Sequence, residues 1–300
     1  MREKKKIMRE VFINKMAIQT KVVKEIKKDT KALAFSPITE NLARLGYGAR
    51  GLIYGMIGIL ALMVALSKSG KLEDQQGVIA SIGQQPIGRI LLGIILIGLI
   101  GYSLWGLIRA FFDPLHKGKD FKGILTRVGF FISAAAYAIL ILPTYNYIFS
   151  NPNAAQNGAQ GVQLQNIIST IFTIPLGKYI VGIIGLAFLG TGAYQVYKGL
   201  RHNFAERFNP YALSTKQVRI VKIIGRIGTL GRSVVFFLVG LFLMFAAYSS
   251  NSSKAKGIDG VLLVILQQPY GHYLLGIVAL GLIAFGAYSI IGGFWFKFKR

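Results

Sequence analysis

From Val128 to Gly177 the chain runs for 50 residues without a charged side chain. A helix of about 20 apolar residues crosses a bilayer, so this run is too long for one crossing. Its middle, Ser150 to Gln165, is rich in Asn, Gln, Gly and Ala, and reads as a neutral loop after a span at 128–149. Five more apolar stretches accompany it: Leu52–Ser67 (reaching back toward Gly46 past Arg50), Ile90–Ile108, Tyr179–Tyr197, Ser233–Ser253, and the 272–295 part of Gly260–Phe296. Six transmembrane helices are expected, in an all-α polytopic integral membrane protein. Composition agrees. Only 15% of the 300 residues are charged, against about a quarter in a soluble domain, and mean hydropathy is +0.52. A soluble enzyme and a disordered chain are both excluded by these values. Residues 1–40 hold 11 Lys/Arg and 5 Asp/Glu, with no apolar run of signal-peptide length.

The net charge is +24, and its placement is systematic. Of 35 Lys/Arg, 29 fall within 1–50, 109–127, 198–232 and the end after Phe296, which alternate connections place on one side. The other side has Lys68, Lys71, Arg89, Lys178, Lys254 and Lys256. Basic residues favour the cytoplasmic face, so both termini are expected there. Membrane topology accounts for the charge, and no nucleic-acid partner is expected.

The spans repeat. Arg44-Leu45-Gly46, Arg127-Val128-Gly129 and Arg226-Ile227-Gly228 open the odd-numbered spans. Six residues after each Arg stand Arg50, Ser133 and Arg232, and ten residues after stand Tyr54, Tyr137 and Phe236. Pro86-Ile87-Gly88, Pro175-Leu176-Gly177 and Pro269-Tyr270-Gly271 precede the even spans. Nineteen residues past each Pro come Trp105, Tyr194 and Tyr288; four further on the copies diverge to Arg109, Lys198 and Gly292. Gln76-Gly77-Val78-Ile79 also matches Asp259-Gly260-Val261-Leu262. A unit of two spans returns the chain to its starting side, so the copies share one orientation about an axis along the membrane normal. The expected form is a six-helix bundle with pseudo-threefold symmetry. Its parts are a basic cytoplasmic or membrane-surface segment at 1–40 and repeats at 41–125, 126–222 and 223–300.

The stretch Leu42-Ala43-Arg44-Leu45-Gly46-Tyr47-Gly48-Ala49-Arg50-Gly51-Leu52-Ile53-Tyr54, with Gln85-Pro86-Ile87-Gly88-Arg89 and Gly101-Tyr102-Ser103-Leu104-Trp105, resembles the bacterial domain of unknown function 1206 family. The resemblance covers residues 41 to about 296. It implies three two-helix units in a bacterial membrane protein and implies no activity; the cell (inner) membrane is the expected location.

Arg44, Arg127 and Arg226 are expected where odd spans leave the cytoplasm. There they either snorkel to lipid phosphate or, with Arg50 and Arg232, ring the mouth of an axial cavity that attracts anions or anionic headgroups. Trp105, Tyr194 and Tyr288 suit an aromatic belt or packing, with a ligand platform as the alternative; Tyr54, Tyr137 and Phe236 are the repeated aromatic positions of the odd spans. Glycine pairs such as Gly51/Gly55, Gly98/Gly101, Gly182/Gly185 and Gly276/Gly281 suit close helix packing, and the three prolines suit a first helical turn. Residues 5–34 alternate apolar and basic positions at helical spacing, as in a helix lying on an anionic leaflet.

Catalysis has no footing. No acid lies within a span, Cys is absent, and His116, His202 and His272 lack metal-ligand spacing. No enzyme activity, cofactor or metal is expected. The expected partners are anionic membrane lipids, in a scaffold or lipid-interacting role. The second reading is a channel or transporter for a small, anionic solute along the axis. Polar residues on the axis at midplane would favour transport, and apolar ones the scaffold.

Overall fold

The computed structural model describes residues 37–66, 72–73, 75–113, 118, 120–149, 160–201, 203–208 and 213–296. The amphipathic helix expected at 5–34, together with His116 and His202, lies outside the described residues. Ten α-helices follow in order among the described residues: α1 (Pro37–Ala65), α2 (Gln75–Gly83), α3 (Gly88–Phe111), α4 (Phe121–Ile139), α5 (Ile141–Phe149), α6 (Gln160–Phe172), α7 (Gly177–Arg201), α8 (Thr215–Ser249), α9 (Ile258–Leu266) and α10 (Gly271–Trp295). Six spans are long and apolar enough to cross a membrane: α1, α3, α4 with α5, α7, α8 and α10. The third is broken at Leu140 because Pro143 has no N–H for the carbonyl of Ile139.

Each repeat also carries a short helix between its two spans: α2, α6 and α9. Hydropathy alone does not separate such segments from loops, and α6 begins inside the stretch that reads as a neutral polar loop. The short helices explain the proline–glycine motif. Gly88 N–H donates to the Gln85 carbonyl (2.8 Å), Gly177 to Ile174 (2.9 Å) and Gly271 to Gln268 (2.8 Å). Each Pro is therefore the second residue of a tight turn, where its fixed φ fits, and not the first helical turn that the sequence suggests. The glycine that follows lies over the end of the short helix. A Cβ on Gly88, Gly177 or Gly271 would overlap the carbonyl oxygen of Ile82, Ile171 or Leu266. Gly271→Ala is expected to cost about 1–3 kcal/mol, read as a lower melting temperature of the purified protein. Gly93→Ala has no heavy atom within 4 Å to meet and should melt as the parent does.

Packing follows the chain. α1 joins α3, α3 joins α4, α7 joins α8, α8 joins α10, and α10 closes on α1 in the most extensive helix pair among the described residues. The spans thus stand around the bundle in sequence order, as a threefold arrangement of two-span units requires. Among the described residues, one neighbouring pair lacks comparable packing: the α4–α5 span and α7. These two are also the least buried spans.

Several close crossings depend on glycine. A Cβ on Gly231 would lie 2.5 Å from the Gly281 Cα, and one on Gly51 would lie 2.7 Å from the Gly286 carbonyl oxygen. Lipid tails give helices no hydrophobic reason to associate, so such backbone approach supplies the attraction. Gly182 and Gly276, by contrast, make only ordinary contacts at 3.8 Å. The interior away from the arginines is mostly apolar, with Ile57, Leu92, Ile95, Leu275 and Leu282 fully buried and Thr144, Gln195 and Thr229 as buried polar exceptions.

Candidate functional site

The five arginines singled out by the repeat divide into two groups. Arg44 donates from Nη1 to the carbonyls of Gly293 (3.0 Å) and Phe294, from Nη2 to the carbonyl of Phe296 (3.4 Å), and pairs with Glu40 at 2.8 Å. Arg127 donates from Nε to the Ala110 carbonyl (2.7 Å) and from Nη2 to that of Phe111 (3.0 Å). The last carbonyls of a helix have no partner within it. Arg127 satisfies those of the even span before it, and Arg44 those of the last even span, which closes the ring. Arg226, at the third such position, is exposed. Arg44 and Arg127 are therefore clamps between repeats and do not ring a cavity.

Arg50 and Arg232 turn inward instead. Six residues on from the repeat's first arginines, they lie about 9 Å deeper along their helices. Arg50 Nη1 donates to the Tyr102 hydroxyl (2.6 Å) and Nη2 to that of Ser289 (3.1 Å). A third guanidinium, Arg109 at the end of α3, reaches the same region: Nη1 donates to the Tyr47 hydroxyl (3.4 Å) and Nε to the Trp105 carbonyl (3.4 Å). Tyr102 lies within electrostatic reach of all three cations. Sequence reasoning does not single out Arg109, because the other two copies carry Lys198 and Gly292 there. Its position in the last helical turn suggests a loop residue.

Each guanidinium is walled by three aromatic rings. Arg50 stands over Tyr47 (4.7 Å), Tyr102 (5.0 Å) and Phe285 (5.0 Å). Arg109 stands over Phe130 (4.4 Å), Trp105 (5.7 Å) and Tyr102 (5.8 Å). Arg232 stands over Phe236 (4.4 Å), Phe285 (4.6 Å) and Tyr54 (5.1 Å). Desolvated contacts of this kind contribute about 2 kcal/mol each, so the three rings offset much of the several kcal/mol that burial of a cation costs and leave the charge itself without a counter-ion. No carboxylate pairs with any of the three among the described residues. Arg50 Nε, Arg109 Nη2, Arg232 Nε and the Tyr137 hydroxyl are buried without a hydrogen-bond partner. The cluster is therefore a concentrated positive charge with donors to spare, enclosed by aromatic faces.

The repeat explains how the cluster is assembled and where it is incomplete. Tyr54, Tyr137 and Phe236, equivalent in the three odd spans, all reach it. In the even spans, Tyr102 and Phe285 are equivalent sixteen residues past the proline, and both stack on Arg50. The middle copy departs twice. Ser133, half-buried, stands where the others have Arg50 and Arg232, and Thr191, exposed, stands where they have Tyr102 and Phe285. The belt positions split in the same way. Trp105 and Tyr288 are 4% and 5% exposed, whereas Tyr194 is 58% exposed. Tyr288 packs edge-on to Phe204 and Phe208. The face of α7 that would complete the ring thus stays uncovered among the described residues.

The comparisons with known proteins agree with the three-unit reading. The family described as Domain of Unknown Function (DUF1206) matches residues 45–113, 128–202 and 227–295. The chain belongs to this family. It is also similar to an uncharacterized protein, YxxB, of Bacillus subtilis (strain 168): 32% identical over 280 residues, covering 93% of this chain and 98% of the relative. No solved structure matches the chain. Each family unit begins one residue after the first arginine of a repeat and takes in the two spans that follow it.

Proposed function

We propose that this protein is a non-enzymatic membrane protein that binds a phosphate- or carboxylate-bearing group in the cytoplasmic half of its bundle. One observation carries the reading: Arg50, Arg109 and Arg232 converge with buried, unpartnered N–H groups and, among the described residues, no carboxylate paired to them. A charged residue at membrane depth is expensive and marks function by default, and a planar guanidinium is suited to bidentate capture of such groups. The 29 basic residues on one side of the spans support cytoplasmic termini, and the Bacillus relative supports a bacterial cell membrane.

The interior favours retention over passage. Beyond the arginines, Ile53, Ile57, Leu92, Ile95, Val239 and Leu275 fill the core. This apolar filling weighs against conduction along the axis and in favour of a lipid-interacting or scaffold role.

Thermal unfolding in a non-ionic detergent tests the reading, with inorganic phosphate and short-chain phosphatidylglycerol as separate additions. A ligand at a hundredfold excess over its Kd stabilises by about 2.7 kcal/mol, which is readable as a shift of several degrees. The parent protein is expected to show that shift with at least one anion, and Arg50→Gln with neither. Equal shifts in parent and variant, or none in the parent, would remove the proposal.

A further inference from the structure

Resting on that reading, we infer that the bound anion belongs to a membrane lipid, its phosphate on Arg50, Arg109 and Arg232 and its acyl chains along the seam between the α4–α5 span and α7. Two independent features point to it. The first is charge: three guanidiniums with unpartnered donors pair with no acid among the described residues. The second is lateral access. The seam separates the one neighbouring pair of spans that lacks comparable packing among the described residues, and α7 leaves Thr191 and Tyr194 exposed at the repeat positions where Tyr102, Phe285, Trp105 and Tyr288 are buried. Arg232 on α8, the helix packed against α7, and Tyr137 on α4, one wall of the seam, come within electrostatic reach of each other. Arg232 is half-buried where Arg50 is enclosed.

A soluble anion needs a path from the aqueous face. A lipid needs an opening in the side of the bundle, with an apolar channel leading outward. Arg109 stands in the last turn of α3, and Arg50 and Arg232 are about 9 Å further along their helices than the first arginines of their repeats, so the phosphate is drawn inward from the headgroup layer by about that distance. The chemistry of the seam fits as well, since Tyr194 and the exposed faces of α4 and α7 are apolar or aromatic. The departures of the middle copy then acquire a joint role. Ser133 in place of a third arginine leaves room for the phosphate, and Thr191 in place of an aromatic ring leaves room for the chain.

The test uses the full-length protein in nanodiscs of phosphatidylcholine containing a trace of photoactivatable phosphatidylglycerol, its reactive group on the acyl chain. Labelling is expected to concentrate on peptides from α4 and α7, and to fall at least tenfold in Arg50→Gln/Arg232→Gln. In parallel, unfolding is followed with inorganic phosphate and with short-chain phosphatidylglycerol. Half-maximal stabilisation is expected at a concentration at least tenfold lower for the lipid. Thr191→Phe, the residue of the third copy, should raise the lipid concentration required and leave the phosphate response alone. Labelling spread evenly around the bundle, or equal potency of phosphate and lipid, would overturn the lipid assignment while leaving the anion site standing. No response to either would overturn both. Because α4 and α7 are the least buried spans, the parent's labelling is also read against excess unlabelled phosphatidylglycerol, which should suppress it at a bound site and not at bulk lipid, so that the result stands even where a variant fails to fold.

Discussion

Ser133→Glu is expected to raise the stability of the ligand-free protein by about 1.5–3 kcal/mol, the worth of a hydrogen bond to a charged group, and to abolish its response to added anions. Ser133 occupies the repeat position of Arg50 and Arg232, one helical turn before Tyr137, whose hydroxyl lies in the cluster. A carboxylate there supplies the counter-charge that the cluster lacks. The cations are already buried, so only one new group must be desolvated, against two attractions in a low-dielectric interior. The measurement is thermal unfolding with and without phosphatidylglycerol: a higher melting temperature without lipid, and no further rise with it. A lower melting temperature would show that position 133 does not face the arginines. Ser133→Gln, which adds bulk and no charge, separates the electrostatic effect from packing.

Gly231→Leu is expected to prevent assembly of the bundle. Even a single added carbon at Gly231 would lie 2.5 Å from the Gly281 Cα, and backbone cannot yield as the tip of a side chain can. A whole leucine side chain would force α8 away from α10, and with it Arg232 away from the ring of Phe285. The loss should exceed about 4 kcal/mol, beyond the usual range for a single substitution. Size-exclusion chromatography in detergent reads it as disappearance of the monodisperse peak. Gly190→Leu is the matched control, because no heavy atom lies within 4 Å of its added Cβ; it should elute normally.

The spans and the repeat are legible in the sequence because membranes impose them. A charge-free run of fixed length has few alternatives, and arginine–glycine and proline–glycine motifs recur at spacings that a reader can count. The division of labour among the arginines is not legible. Arg44 and Arg50 stand six residues apart on one helix, and nothing in the sequence signals that the first ends at carbonyls of α10 while the second faces Tyr102 and Ser289. That distinction depends on which helix is the neighbour. Arg109 is hidden for a related reason: a cation in the last turn of a span looks like an interfacial anchor until its rings, Phe130 and Tyr102, are known. The short helices escape because such brief segments carry too little periodicity to separate a helix from a loop. The seam is visible only in outline, through Ser133 as the copy lacking its second arginine.

The pairing of α1 with α10 has a consequence for how the molecule comes into being. Arg50 is among the early residues to enter the membrane, yet Ser289 and Phe285 belong to the final helix, and the carbonyls that hold Arg44 lie at its very end. The hairpin of α1 with α3 brings Arg50 its Tyr102 hydroxyl early, but the Ser289 hydroxyl and the Phe285 ring are missing until the last span is made. Maturation is thereby coupled to that span: a nascent chain truncated before α10 retains an arginine at membrane depth that is only partly satisfied, a ready mark for quality control.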